Sequence, residues 1–221
     1  MPKPPDHSSP AEGVETLRTS RLEALSDGVF SIAMTLLILQ IGVPSLPAGA
    51  TTGDLWRVVV ALGPKFFSYV VSFLVIGMYW EGQHAHFHLI RRADPVLIWL
   101  TLFFLMLIAA IPFSAQLTGR YLHERVVVLW YGGHVELIGA VNYLTWRYAS
   151  KGNRLLAAHV DPPSKKILTR LTVVAPVLYA GAIALAFVST AVSLIFYLVV
   201  PLAYVVLPGT LGRVGRERES R

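Results

Sequence analysis

Apolar residues run in long blocks along this chain, and short polar or basic stretches separate the blocks. A helix of about 20 apolar residues crosses the hydrocarbon core of a bilayer. The pattern predicts helices over 21–43, closed by Pro44, and over 54–80, with Gly63-Pro64 as a kink point. It predicts two more over 95–117, with LIWLTLFFLMLIAAIPF at its heart, and over 124–147. The run 168–207 is too long for one span, and Ser189-Thr190 is the expected tight turn between a fifth and a sixth helix. One uninterrupted long helix is the alternative there. The fold class expected is therefore all-α: a polytopic membrane protein with six transmembrane helices.

Basic residues give this arrangement a direction, because cytoplasmic connections are enriched in Lys and Arg. With both termini cytoplasmic, the inner side collects Lys3, Arg18 and Arg21, then Arg91 and Arg92. It also collects Arg147, Lys151, Arg154, Lys165, Lys166 and Arg170, and at the end Arg213, Arg216, Arg218 and Arg221. Only Arg57, Lys65, Arg120 and Arg125 of the 19 basic residues fall outside. Adding or losing one span would degrade that asymmetry.

Composition agrees. Of the 221 residues 54% are hydrophobic and 14% are charged, with a mean hydropathy of +0.58. A soluble domain would carry about a quarter charged residues. The net charge of +6 belongs to topology rather than to nucleic-acid binding, since the basic residues lie in the connections. There is no cysteine, hence no disulfide and no thiolate metal site. Residues 1–20 are polar, with prolines at 2, 4, 5 and 10, and are expected to form a mobile tail. Arg21, the apolar run 29–43 and Ala48-Gly49-Ala50 also resemble a cleaved signal peptide. The long tail before Arg21 and the position of Asp27 beside the apolar core argue against cleavage.

Chemistry concentrates in the first helix. Arg21, Glu23, Ser26 and Asp27 stand at one end, with Ser31, Thr35 and Gln40 further along. Polar groups in a membrane helix face protein or a watery cavity. Taking Asp27 as zero and about 100° per residue, Thr35, Gly28, Leu39 and Ile32 fall at about 80°, 100°, 120° and 140°. Ser31 and Leu36 flank this stripe at about 40° and 180°. Small residues let helices approach closely, so packing against a neighbouring helix is the plain alternative to a pore wall.

The sequence RLEALSDGVFSIAMTLLIL resembles the opening of the transmembrane protein 175 family, potassium channels of lysosomes and their prokaryotic relatives. Its signature there is Arg, three residues, then Phe-Ser-Asp; here Leu25-Ser26-Asp27 follows Arg21, with Leu replacing the aromatic. Trp80 with His84 looks like the cluster after the family's second helix, and Ile111-Pro112-Phe113 also fits. The resemblance implies a homotetrameric potassium channel, modestly selective over sodium, in the plasma membrane, with the first helix lining a central pore. Carried onto this chain, it makes Ile32, Leu36 and Leu39 the apolar rings of a pore gate, and Ser31 and Thr35 a hydroxyl layer for selectivity. No pore loop, carbonyl filter, enzymatic activity or cofactor is expected; potassium is the permeant ion and the bilayer the surroundings. The organisation implied is a cytoplasmic tail over 1–20, a six-helix channel domain over 21–209 and a basic cytoplasmic tail over 210–221.

Arg21 and Asp27 are six residues apart and do not share a helix face, so each needs a partner elsewhere. A structural polar network of Arg21, Ser26, Asp27, Trp80 and His84 is expected to tie the first helix to the second and third. Glu81, His84, His86 and His88 form a string that admits a metal site, a pH sensor or plain interfacial histidines at the helix end; the last is preferred. His134, Glu136 and Asn142 in the fourth span are expected to make interhelical hydrogen bonds. A proton-coupled or facilitative transporter using Glu136, His134 and Asp27 is the rival function, although internal repeats and broken helices are not evident. An intramembrane enzyme lacks a nucleophile–base pair at depth.

Overall fold

The computed structural model describes residues 10–219 apart from 47, 158, 159 and 161, with side chains described over 19–204. The first nine residues of the expected N-terminal tail, the side chains of 10–18 and those of the basic tail over 210–221 lie outside the described residues. Seven α-helices run through the rest: α1 Pro10–Leu39, α2 Thr52–Ala61, α3 Gly63–Leu89, α4 Pro95–Arg120, α5 Arg125–Ser150, α6 Pro162–Leu185 and α7 Thr190–Glu219. The protein is thus helical throughout, as the apolar runs predict. Among the described residues four stretches are long and apolar enough to cross a membrane: Thr19–Leu39, Thr52–Leu89, Pro95–Arg120 and Pro162–Leu185. Thr190–Tyr204 is a shorter apolar stretch. α5 is also long, but His134, Glu136 and Asn142 interrupt its apolar surface.

Several boundaries differ from expectation for local reasons. α1 starts at Pro10 rather than at 21, so the described part of the tail is helical. It stops at Leu39, ahead of Pro44, and Gly42 leaves the turn with a φ of 65°. The second apolar run divides at Leu62, where Pro64 brings no amide hydrogen and Leu62 N–H turns back to the Val59 carbonyl at 3.1 Å. α2 is opened by a reciprocal cap between Thr51 and Asp54. α3 continues to Leu89, past the expected end at 80, which puts the histidine string inside the helix. The run 168–207 does form two helices, separated by Ala186–Ser189 just before the expected turn.

α3 is the hub, packing on α1, α2, α4, α6 and α7, while α4 packs between α1 and α5. Phe30, Leu37, Val75, Ile76, Phe104 and Ile108 are all buried at the α1–α3–α4 junction. Two glycines let α5 lie close to its neighbours. A Cβ on Gly132 would collide with the Tyr197 hydroxyl, and one on Gly139 would sit 2.9 Å from Pro176 Cγ. At one end of the bundle the α3–α4 and α5–α6 connections pair: Arg91 N–H donates to the Leu155 carbonyl at 2.9 Å and Ala157 N–H to the Leu89 carbonyl at 3.0 Å. Thr19 Oγ1 of α1 donates to the Arg91 carbonyl at 3.4 Å, so the start of the apolar part of α1 lies at this same end.

Candidate functional site

α1 has two unlike faces. Leu22, Ser26, Phe30, Ala33, Leu37 and Ile41 are buried, and their spacing of three and four is the helical period. Phe30 meets Phe104 of α4 with ring centroids 6.0 Å apart, and Met34 Cε lies 3.8 Å from where a Cβ on Gly77 of α3 would be. The other face carries Gly28, Ser31, Ile32, Thr35, Leu36 and Leu39, and all six are exposed. Ile32 is 60% exposed, Leu36 41% and Leu39 71%. The stripe of small and hydroxyl residues therefore does not pack against another helix of this chain. The packed face was determined by larger residues, Phe30 and Leu37, that fit α3 and α4.

Thr35 Oγ1 lies 2.9 Å from the Ile32 carbonyl and 3.1 Å from the Ser31 carbonyl. A hydroxyl has one hydrogen, and here it is given to the helix backbone; what remains at that oxygen is acceptor capacity. Ser26 Oγ likewise donates to the Leu22 carbonyl at 2.9 Å and is buried, so Ser26 satisfies itself within α1 instead of reaching another helix.

The polar cluster is a clasp between α1 and α3. Trp80 Nε1 donates to Asp27 Oδ1 at 2.9 Å, and the Trp80 ring stacks on His84 with centroids 6.0 Å apart. His84 Nδ1 lies 3.5 Å from Glu23 Oε1. Glu23 and Asp27 are four apart on α1, and Trp80 and His84 are four apart on α3, so two side-chain pairs on matching faces meet across the interface. The sequence expectation for Asp27, Trp80 and His84 finds these contacts. It missed Glu23 as the partner of His84, although the i,i+4 spacing from Asp27 carried that signal. Arg21 is exposed and makes no polar contact among the described residues, so its expected tie to α3 and α4 is not formed within one chain. A second contact, unforeseen, holds the opposite end of α1: Lys65 Nζ donates to the Ile41 carbonyl at 2.9 Å. A cation there complements the carbonyl end of the helix.

The other titratable groups disperse. His86 is buried rather than interfacial, because α3 runs on beneath the α5–α6 connection. Its ring stacks on Trp146 at 4.7 Å, and its Nε2 lies 3.1 Å from Thr172 Oγ1. His84 points to α1 and His88 is exposed, and no group of three metal-binding side chains occurs among the described residues. His134 Nε2 donates to the Leu107 carbonyl at 3.0 Å, which leaves Nδ1 to accept from Ser114 Oγ at 2.7 Å. Trp130 Nε1 donates to the same Ser114 Oγ at 3.2 Å. His134 thus makes interhelical bonds to α4. Glu136 Oε2 and Asn142 Oδ1 make none: both are buried without a partner among the described residues. Asp27 and His134 have separate partners and neither bonds to Glu136.

Long apolar helices, with basic residues gathered in the connections between them, define a multi-pass helical membrane protein. A family profile described as the endosomal/lysosomal potassium channel TMEM175 matches residues 21–112. A protein named as a potassium channel from Streptomyces collinus is 34% identical over 180 residues, spanning 80% of this chain and 86% of that one. Another so named, from Chamaesiphon minutus, is 35% identical over 181 residues, spanning 80% and 89%. The crystal structure of a lysosomal potassium-selective channel TMEM175 homolog from Chamaesiphon minutus superposes with a TM-score of 0.76 at 30% identity, covering 86% of this chain and 97% of that one. The chain belongs to the TMEM175 family. Its relatives are ion channels and not enzymes.

Proposed function

We propose that this protein is a potassium channel of the plasma membrane, conducting passively and modestly preferring potassium to sodium, through a central pore lined by α1 from four copies. The observation that carries the proposal is the uncovered stripe of α1: Ile32 and Leu39 are 60% and 71% exposed while the opposite face is packed. Around a four-fold axis these stripes face one another. Ile32, Leu36 and Leu39 then form rings that exclude water when close together, the dewetting form of gating. A small rotation or outward shift of α1 hydrates the passage. Ser31 and Thr35 supply oxygens between the rings, and Thr35 offers lone pairs because its hydrogen is engaged by the backbone. Neutral hydroxyls replace part of an ion's water shell without holding it strongly, which suits throughput and modest selectivity.

Six spans with both termini cytoplasmic complete the proposal: α1, α2 with α3, α4, α5, α6 and α7. The pairing of the α3–α4 and α5–α6 connections supports this direction, since both carry the Arg and Lys residues of the inner side. The Trp80–Asp27 and His84–Glu23 contacts fix the rotation of α1 at that end, and Lys65 holds the other.

Passive flux from potassium-loaded liposomes, with valinomycin as the full-release control, tests the proposal. Wild-type protein should release potassium faster than sodium without a proton gradient, and Ile32→Asn should raise the rate. Flux that requires a proton gradient and disappears in Glu136→Gln would instead establish a coupled transporter.

A further inference from the structure

A second site lies away from α1. A cavity of about 200 Å³ opens between α3, α5, α6 and α7. Met78, Leu168 and Leu171 make its wall apolar, while Gly82 and Ala85 leave room on the α3 side. Five polar residues interrupt that wall: Thr172 gives its hydroxyl hydrogen to the Leu168 carbonyl at 2.8 Å, and the other four favour positive charge. Glu81 is an exposed carboxylate on the lining. Asn142 lines the cavity at 6% exposure, and its Oδ1 is buried with no hydrogen-bond partner. Tyr79 and Tyr204 line it too, with hydroxyls already donated to the carbonyls of Val135 and Leu171. Aromatic rings and a carboxylate attract an organic ammonium. No Lys, Arg or His is among the described lining residues. A bare potassium ion is a poor occupant, because an apolar wall does not replace its water.

We infer that this cavity binds a small organic cation: a primary or secondary amine whose ammonium group lies at Glu81 and whose apolar body lies against Met78, Leu168 and Leu171. The orphan oxygen of Asn142 is an additional acceptor for an N–H group. The site shares no residue with the uncovered stripe of α1, so it is separate from the proposed pore.

Equilibrium dialysis of the purified full-length protein in detergent against 4-phenylbutylamine, with empty micelles as the blank, tests the inference. The isosteric 4-phenylbutanol and 4-phenylbutyrate serve as neutral and anionic comparisons. Saturable uptake of the amine is expected, weakened about tenfold in Glu81→Gln, the scale of one charge-assisted hydrogen bond. Gly82→Leu should abolish it, since a Cβ at Gly82 meets nothing within 4 Å and the side chain fills open space. Uptake that matches empty micelles, equal uptake of amine, alcohol and carboxylate, or an unchanged Glu81→Gln variant would each overturn the inference. Size-exclusion profiles check that the variants fold. Binding is measured without flux, so a protein that takes up the amine but conducts no potassium retains the site and refutes only the channel proposal.

Discussion

Truncating one residue on each face of α1 separates packing from conduction. Phe30 is 1% exposed and meets Phe104 with centroids 6.0 Å apart. Phe30→Ala removes an aromatic ring from a closed junction and leaves a cavity. In soluble proteins such changes cost about 3–5 kcal/mol. In a bilayer the lipid tails are as apolar as the core, so the transfer part is lost and the packing part remains. The expected cost is therefore about 2–3 kcal/mol, below most of that range. Leu36 is 41% exposed and touches less of its own chain, so Leu36→Ala should cost less than about 1 kcal/mol. Its effect on flux should be the larger one, since in the proposed tetramer four side chains leave one ring together. The assays are denaturation of the purified protein in mixed detergent, followed by Trp fluorescence, and potassium release from liposomes. Phe30→Ala should lower stability with little gain in flux per folded channel; Leu36→Ala should do the reverse. A Leu36→Ala protein destabilised as much as Phe30→Ala, with unchanged flux, would refute the assignment of the stripe to a pore.

Three further outcomes are expected. Trp80→Phe and Asp27→Ala both remove the 2.9 Å contact, so a double-mutant cycle should show coupling of about 0.5–1.5 kcal/mol, with altered assembly or gating in each single variant; additive effects and normal currents would remove the clasp from the mechanism. Gly132→Ala should destabilise the fold by at least about 2 kcal/mol, because its Cβ would collide with the Tyr197 hydroxyl, while Gly133→Ala, with nothing within 4 Å, serves as the neutral control in the same denaturation assay. Lys65→Met should free the Ile41 carbonyl and loosen that end of α1, seen as faster hydrogen exchange over 37–41; unchanged exchange would show the contact to be dispensable.

What the sequence by itself determined is local and solvent-driven. Blocks of apolar residues specify helices, because a backbone in lipid must satisfy its own hydrogen bonds. Pro64 and the polar stretch at Ser189 mark breaks, because a missing amide hydrogen or a local cap acts within one turn. The stripe of Gly28, Ile32, Thr35 and Leu39 follows from helical periodicity alone, and so does the opposite stripe through Phe30 and Leu37.

Only the tertiary structure decided which stripe is covered. Both carry apolar residues, and the outcome depends on the shapes of α3 and α4 beside Phe30 and Ala33. It likewise decided partners. His84 pairs with Glu23 because two i,i+4 pairs meet across one interface, whereas Arg21 on another side of α1 meets none of them. His86 is buried on Trp146 because α3 extends to Leu89 beneath the α5–α6 connection, a length that hydropathy understates where histidines interrupt it. Helix formation depends on neighbours within one turn. The partner of a polar side chain depends on residues about 53 to 86 positions away, as with Trp80 and Asp27 or His86 and Thr172, and on how rigid helices pack.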